Sequence, residues 1–319
     1  MRRGHSTDRR GLVLAELLFL LLQFLLLFSM LFPAMSSSRR AARLVEDQKR
    51  GQMVYTGWTT WAAQNKGDFP MPGKVDRHPV MQGGEKRNFF DRGTPRYDLN
   101  TTDNVHSMCI MDRHYEPRTL VLDADINPNV SVANYNYENY YPYGDIGAYD
   151  GATPGIEDSI EAVDGDLHWD PMFKGDLQET CNFSWASTAL FGNRVKPGLG
   201  YWSMSGRPDV VVLCTRGPRE GRDLPGSVTY GQYAPLDQYR GIKVYNEGSV
   251  SVEDSMSSKR SMYRNEHGQC ADNSYTWDCP EGMPSCDAYG NDALNLVVTT
   301  LEDRNPWTDK PAYVASWDD

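Results

Sequence analysis

The chain has 319 residues, 39% apolar and 11% aromatic, a composition that suits a folded body and excludes a chain disordered throughout. Its net charge is −11, but residues 1–50 carry +5 (nine Lys/Arg against four Asp/Glu), which leaves −16 for residues 51–319. A body so acidic argues against nucleic acid, or an anionic membrane surface, as its main partner.

Residues 1–10 are polar and basic, with Arg2, Arg3, Arg9 and Arg10, in the manner of the n-region of an export signal. The apolar run that follows is longer than a secretory h-region and leads into SSSRRAAR with no small-x-small cleavage site. From Leu17 to Phe32 it approaches the roughly 20 residues that a bilayer needs, so a membrane-spanning helix is expected over residues 12–34. Arginines lie on both sides of it and leave its orientation open. The run holds one carboxylate, Glu16, and one proline, Pro33. An acid inside a membrane segment costs roughly 2.5–3.5 kcal/mol, which marks Glu16 as functional.

The helical pattern continues past Pro33. Val54, Trp58, Trp61 and Ala62 fall on one face, with Glu46, Asp47, Lys49 and Arg50 placed between them on the solvated side. Gly67 and Pro70 form a stop signal, so the second half of one long helix is expected over residues 35–66, packed on a body over residues 67–319. Residues 74–104 have no clear period. Five β-branched runs then read as strands: 119–123, 209–215, 241–246, 249–254 and 294–301. Long aromatic and Gly-rich loops separate them. The expected fold is α+β, a long N-terminal transmembrane helix continuing into a helix packed on an antiparallel sheet with large loop insertions.

Six cysteines, at 109, 181, 214, 270, 279 and 286, allow up to three disulfides if the body is exported. Cys270, Cys279 and Cys286 lie close together in a loop-like stretch and are the candidates for a local bridge. Zinc is the rival reading, without any Cys-x-x-Cys to support it. Asp123, Asp125 and Asn127 begin like a calcium loop, yet Pro128 and Asn134 stand where an EF-hand needs Gly and Glu, and a solvated turn is the plainer reading. Asp145, Asp150, Asp164, Asp166 and Asp170 form further acidic loops. The tyrosines between 135 and 149 are either a contact surface or loop packing. His106, His114, His168 and His267 lack metal or catalytic spacing, so neither an enzyme nor a resident cofactor is expected.

The N-terminus resembles type IV pilins and type II secretion pseudopilins. These carry a basic leader, a glycine, and then an apolar helix with a glutamate at a fixed place. The match is RRGLVLAELLFLL: Gly11 ends the leader, Glu16 follows Leu12 by four residues and Pro33 by twenty-one. Leu12 and Val13 depart from the Phe and Thr that the family prefers. Beyond the apolar run, RRAAR at 39–43 and then Asn65, Gly67, Phe69 and Pro70 resemble the prepilin-type proteins numerous in planctomycete bacteria. Those proteins also carry His, nine residues, then Asp-Gly, where this chain has Asp237, nine residues, then Glu247-Gly248.

The resemblance implies that residues 1–11 are removed by a prepilin peptidase, and that Glu16 neutralises the new amine of Leu12 on a neighbouring subunit. Pro33 would bend the helix. The implied partners are that peptidase, an inner-membrane assembly platform, other pilin or pseudopilin subunits and the lipid bilayer. The implied location is the inner membrane, single-pass, with the body extracytoplasmic. The expected function is a filament subunit of a pilus-like or secretion pseudopilus assembly. The alternative is an anchored extracytoplasmic binding protein that does not polymerise.

Overall fold

In the computed structural model, the described residues are 8–78, 80–83, 85–87, 93–138, 168–190, 202–222, 227–234, 238–265, 268–275, 296–303 and 312–317. The first element, α1 (Asp8–Gln64), is helical without a break through Gly11, Leu12 and Pro33. Leu, Ala, Gln, Glu, Arg and Met, all good helix formers, fill most of it. The stop is where the sequence places it. Gly67 takes φ +90 and donates its N–H to the Ala62 carbonyl at 2.8 Å, closing the last turn as a left-handed cap.

The expected membrane segment is corrected. Among the described residues no helix is long and apolar enough to cross a membrane. This finding overturns both the transmembrane helix over 12–34 and the single-pass inner-membrane location. The chain divides into the units Met1–Glu46 and Asp47–Asp319, so the boundary falls inside α1.

Within the larger unit the chain passes through α2 (Pro72–Val75), the hairpin β1 (Val80–Gln82) and β2 (Glu85–Arg87), α3 (Thr102–Met111) and α4 (Pro117–Leu120). It then lays down β3 (Trp185–Thr188), β4 (Val211–Thr215), β5 (Gly241–Tyr245) and β6 (Val250–Glu253). The hairpin β7 (Ser257–Asn265) and β8 (Gly268–Asn273) follows, and then β9 (Leu296–Asp303) and β10 (Ala312–Ser316). One six-stranded sheet has the order β10-β9-β3-β4-β5-β6, antiparallel at every pairing. The fold is α+β.

Three of the five predicted runs contain β4, β5 and β6, and a fourth, 294–301, overlaps β9. The fifth, 119–123, is not a strand. Pro117 sits in the first turn of α4, where its fixed φ and missing N–H suit a helix start, and the run begins inside that helix. Conversely α3 has no strong sequence signal, being ten residues long with a polar first turn.

Strands β3, β4 and β5 are buried along their whole length, because both faces of the sheet are covered. On one face α1 comes so close that a Cβ on Gly51 would lie 2.8 Å from the Trp185 ring and 3.2 Å from Val244. Helix α1 contributes Val54, Trp58, Trp61 and Ala62 to this core, and Phe69 and Trp202 close around Trp58. The other face carries Lys243, paired across the strands with Cys214, and is covered from residues 255–275. At the far edge of the helical layer, Thr102 and Thr299 hydrogen-bond reciprocally, each hydroxyl accepting the other's backbone N–H at 3.1 and 2.9 Å.

Candidate assembly surface

Helix α1 has two differently built halves, and the functional candidates divide between them. In the unit Met1–Glu46 the side chains from Leu17 to Phe32 point in every direction around the helix. They are apolar apart from Gln23 and Ser29 among those described. Their exposure runs from 49% at Phe28 to 66% at Phe32. Only local contacts occupy them, such as the stacked rings of Phe28 and Phe32, 6.0 Å apart, and the Ser29 hydroxyl donating to the Leu26 carbonyl. A helix that is apolar on all sides is stable in water only when something else covers it. Glu16 is exposed at the start of this stretch. Gly11, Leu12 and Pro33 are placed as helix backbone.

In the unit Asp47–Asp319, α1 is held by charge. Asp47 is fully buried and Arg50 is 9% exposed, which corrects their expected place on the solvated side. Glu46 and Lys49 are exposed as expected. Tyr233 donates its hydroxyl to Asp47 at 2.8 Å, the Asp123 N–H donates to it at 3.2 Å, and Arg50 lies 3.6 Å away. Burial raises the Asp47 pKa, against these hydrogen bonds and the Arg50 charge. A periodic signal was there to be read: Asp47, Arg50, Val54, Trp58 and Trp61 repeat at three and four residues, one continuous stripe.

The same network takes the calcium candidates. Arg50 and Arg118 both bind the Asp123 carboxylate, the former at 3.0 Å. Burial acts to raise the Asp123 pKa, but the hydrogen bonds from Arg118 and Arg50 outweigh it and the net shift is downward. Arg216 meets Asp125 through both guanidinium nitrogens, at 2.9 and 3.0 Å, with both side chains almost fully buried. Asn127 turns its side chain to the Asn129 N–H and the Leu177 carbonyl. The Asp123 and Asp125 carboxylates neutralise arginines, and the Asn127 oxygen is taken by a backbone N–H. Among the described residues no group of three His, Cys, Asp or Glu side chains is placed to hold a metal ion.

Of the acidic loops, only Asp170 is described. It is buried and accepts the backbone N–H groups of Asn136 and Met172. Asp145, Asp150, Asp164 and Asp166 lie outside the described residues, as do Cys279, Cys286, Asp237, His267 and most of the tyrosine loop. Cys270 is placed in β8 as backbone. Cys109, Cys181 and Cys214 are buried thiols outside any disulfide among the described residues, and the Cys181 thiol donates to the Phe183 carbonyl. Tyr135 packs against Tyr137 and Phe173 and donates to the Ser107 carbonyl, which favours loop packing at that end of the tyrosine stretch.

Glu247-Gly248 forms the turn between β5 and β6. Gly248 takes φ +85, and the Gly248 N–H donates to the Tyr245 carbonyl at 2.8 Å. The preceding Asn246 carbonyl accepts the hydroxyl of Tyr55 from α1. Glu247 pairs on the surface with Arg260 at 2.5 Å. The turn therefore fastens the sheet to α1, a structural task independent of the acid at position 247.

Two buried groups had no sequence signal. Lys243 is fully buried, with its ammonium 3.2 Å from Glu253 and donating to the Ser255 and Met256 carbonyls at 3.0 and 2.9 Å. Burial lowers its pKa, with the Glu253 charge pulling the other way. His106 is fully buried between Trp58 and Phe183, with Nδ1 2.9 Å from the Tyr115 hydroxyl. Burial lowers its pKa to about 3, so the ring is neutral, and the Tyr115 hydroxyl is hydrogen-bonded in turn with the Cys109 thiol, which burial keeps protonated. No protein family, curated protein or solved structure matches the chain.

Proposed function

We propose that the chain is a pilin-like structural subunit, cut after Gly11 by a prepilin peptidase and assembled into a pilus-like or secretion pseudopilus filament. The observation that carries this reading is the half-helix at 17–32, apolar on every side and exposed along its length. Packing against the same segment of neighbouring copies covers it. Each Leu or Phe that passes from half exposed to buried contributes on the order of 1 kcal/mol, so a dozen of them supply ample drive for assembly. Glu16 then sets the stagger between copies. It is the one carboxylate of the apolar run, and cleavage would create a cationic amine on Leu12 for a neighbour's Glu16 to meet. A lone carboxylate among packed helices is costly, and a paired one is tolerated. The work is mechanical.

The first test is the mass of the mature protein from its native host. A chain beginning at Leu12 is expected; an intact Met1 start, or a cut after Pro33, sinks the reading. The second is recovery of sheared fibres. Glu16→Ala is expected to abolish it while the folded body persists. Fibres at wild-type yield would remove Glu16 from assembly.

A further inference from the structure

The C-terminal end of the exposed half-helix carries three arginines, Arg39, Arg40 and Arg43. All three are exposed, and none has an ion pair among the described residues. With Phe32 and Met35 they line a shallow concavity on the helix surface, an apolar floor with a cationic rim. Helix stability does not explain them. Like charges at i and i+4, as in Arg39 and Arg43, disfavour a helix by a few tenths of a kcal/mol. The rest of the chain offers the opposite charge in excess, −16 over residues 51–319. Glu116, Glu138 and Glu179 are exposed there without ion pairs among the described residues.

We infer that the arginine collar at 39–43 is a docking surface for the acidic body of a second copy of this chain. The inference rests on the filament reading above and names the contact that sets its geometry. Basic collar and acidic body are different patches on the molecule, so the contact can run head-to-tail. Where each copy offers a collar to one neighbour and a body to another and the rotation does not close, an open filament results. Packing of apolar helices alone is non-directional. The charge contact adds register and speeds correct encounter. The apolar floor of Phe32 and Met35 is continuous with the helix surface buried in the same assembly.

The test compares the mature chain, beginning at Leu12, with the same chain carrying Arg39→Glu/Arg40→Glu/Arg43→Glu, each diluted from neutral detergent and followed by light scattering and sedimentation. Salt is raised from about 0.01 M to about 1 M, which shortens the Debye length from about 30 to about 3 Å. The wild type is expected to assemble at low salt and to weaken as salt rises. The variant is expected to associate about tenfold more weakly at low salt and to lose the salt dependence. Equal helix content by circular dichroism excludes misfolding, which these exposed positions do not invite. A variant that assembles like the wild type overturns the collar while leaving the filament reading intact. A wild type that is monomeric at every salt concentration overturns both. A collar that instead binds vesicles of anionic lipid, with self-assembly unaffected by the reversal, also overturns the proposal.

Discussion

The ring of Tyr55 on α1 lies 3.0 Å from where a Cβ on Gly248 would stand. The turn needs glycine twice over, for its positive φ and for this approach. Left-handed backbone alone costs an ordinary residue roughly 1–2 kcal/mol. Gly248→Ala is therefore expected to lower stability to urea by about 2 kcal/mol, by the backbone strain plus displacement of Tyr55. Gly67 provides the comparison, since it has φ +90 and nothing within 4 Å of a Cβ. Gly67→Ala should cost only the backbone share, about 1 kcal/mol. Equal losses at the two positions would show that the Tyr55 contact contributes nothing.

His106 gives the body a pH dependence of known sign. Its folded-state value, about 3, lies below the ordinary 6.5, so the unfolded chain takes up the proton first. The stability contributed by the neutral ring is complete above about pH 6.5 and is lost as pH falls toward 3, by at most about 1.4 kcal/mol per unit. The difference in unfolding free energy between wild type and His106→Phe should therefore shrink from pH 7 to pH 5. A difference that stays constant would mean that the ring gains its proton without opening the core.

Lys243 and Glu253 should behave as a matched pair. Removing one partner leaves the other charge buried, and Glu253→Leu is expected to cost about 3–5 kcal/mol. The double variant Lys243→Met/Glu253→Leu should recover most of that loss, because two apolar side chains of similar volume need no counter-ion. Chemical denaturation of Lys243→Met, Glu253→Leu and the double variant against the wild type gives the coupling directly. Additive losses would show that the two charges act independently.

Calcium should leave the body indifferent. Arg50, Arg118 and Arg216 already neutralise Asp123 and Asp125. The thermal midpoint is expected to be the same with millimolar calcium and with chelator. A rise on adding calcium would place a cation where the guanidinium groups stand.

Much of this architecture was legible in the residues, for identifiable reasons. The end of α1 was marked by Gly67, whose role is set by local backbone chemistry. Strands β4, β5, β6 and β9 announced themselves through runs such as VVLCT and GIKVY, where branched side chains cluster between turns. What escaped depends on partners distant in sequence. Asp47 and Arg50 read as solvated because a charged residue ordinarily is. Tyr233, 186 residues from Asp47, together with Asp123 and the Val121 carbonyl, makes their burial possible. Lys243 was hidden inside an apolar run, its charge met by Glu253 on the next strand. The calcium pattern failed for the same reason: spacing shows which oxygens are near in sequence, not which arginines reach them. The membrane reading rested on the apolar character of residues 12–34. That character persists as an exposed surface on α1, while among the described residues no helix is long and apolar enough to cross a membrane.

The place of β9 in the sheet has a consequence for how the chain is made. Residues 296–303 enter between β10 and β3, although β3 leaves the ribosome more than a hundred residues earlier. Until they arrive, the edge of β3 offers unpaired backbone groups, and Thr102 lacks the Thr299 that holds α3. Such long-range closure is slow and comes late. A partly synthesised chain therefore has nothing complete to fold into, and the acidic body becomes a rigid object only after nearly all of it exists.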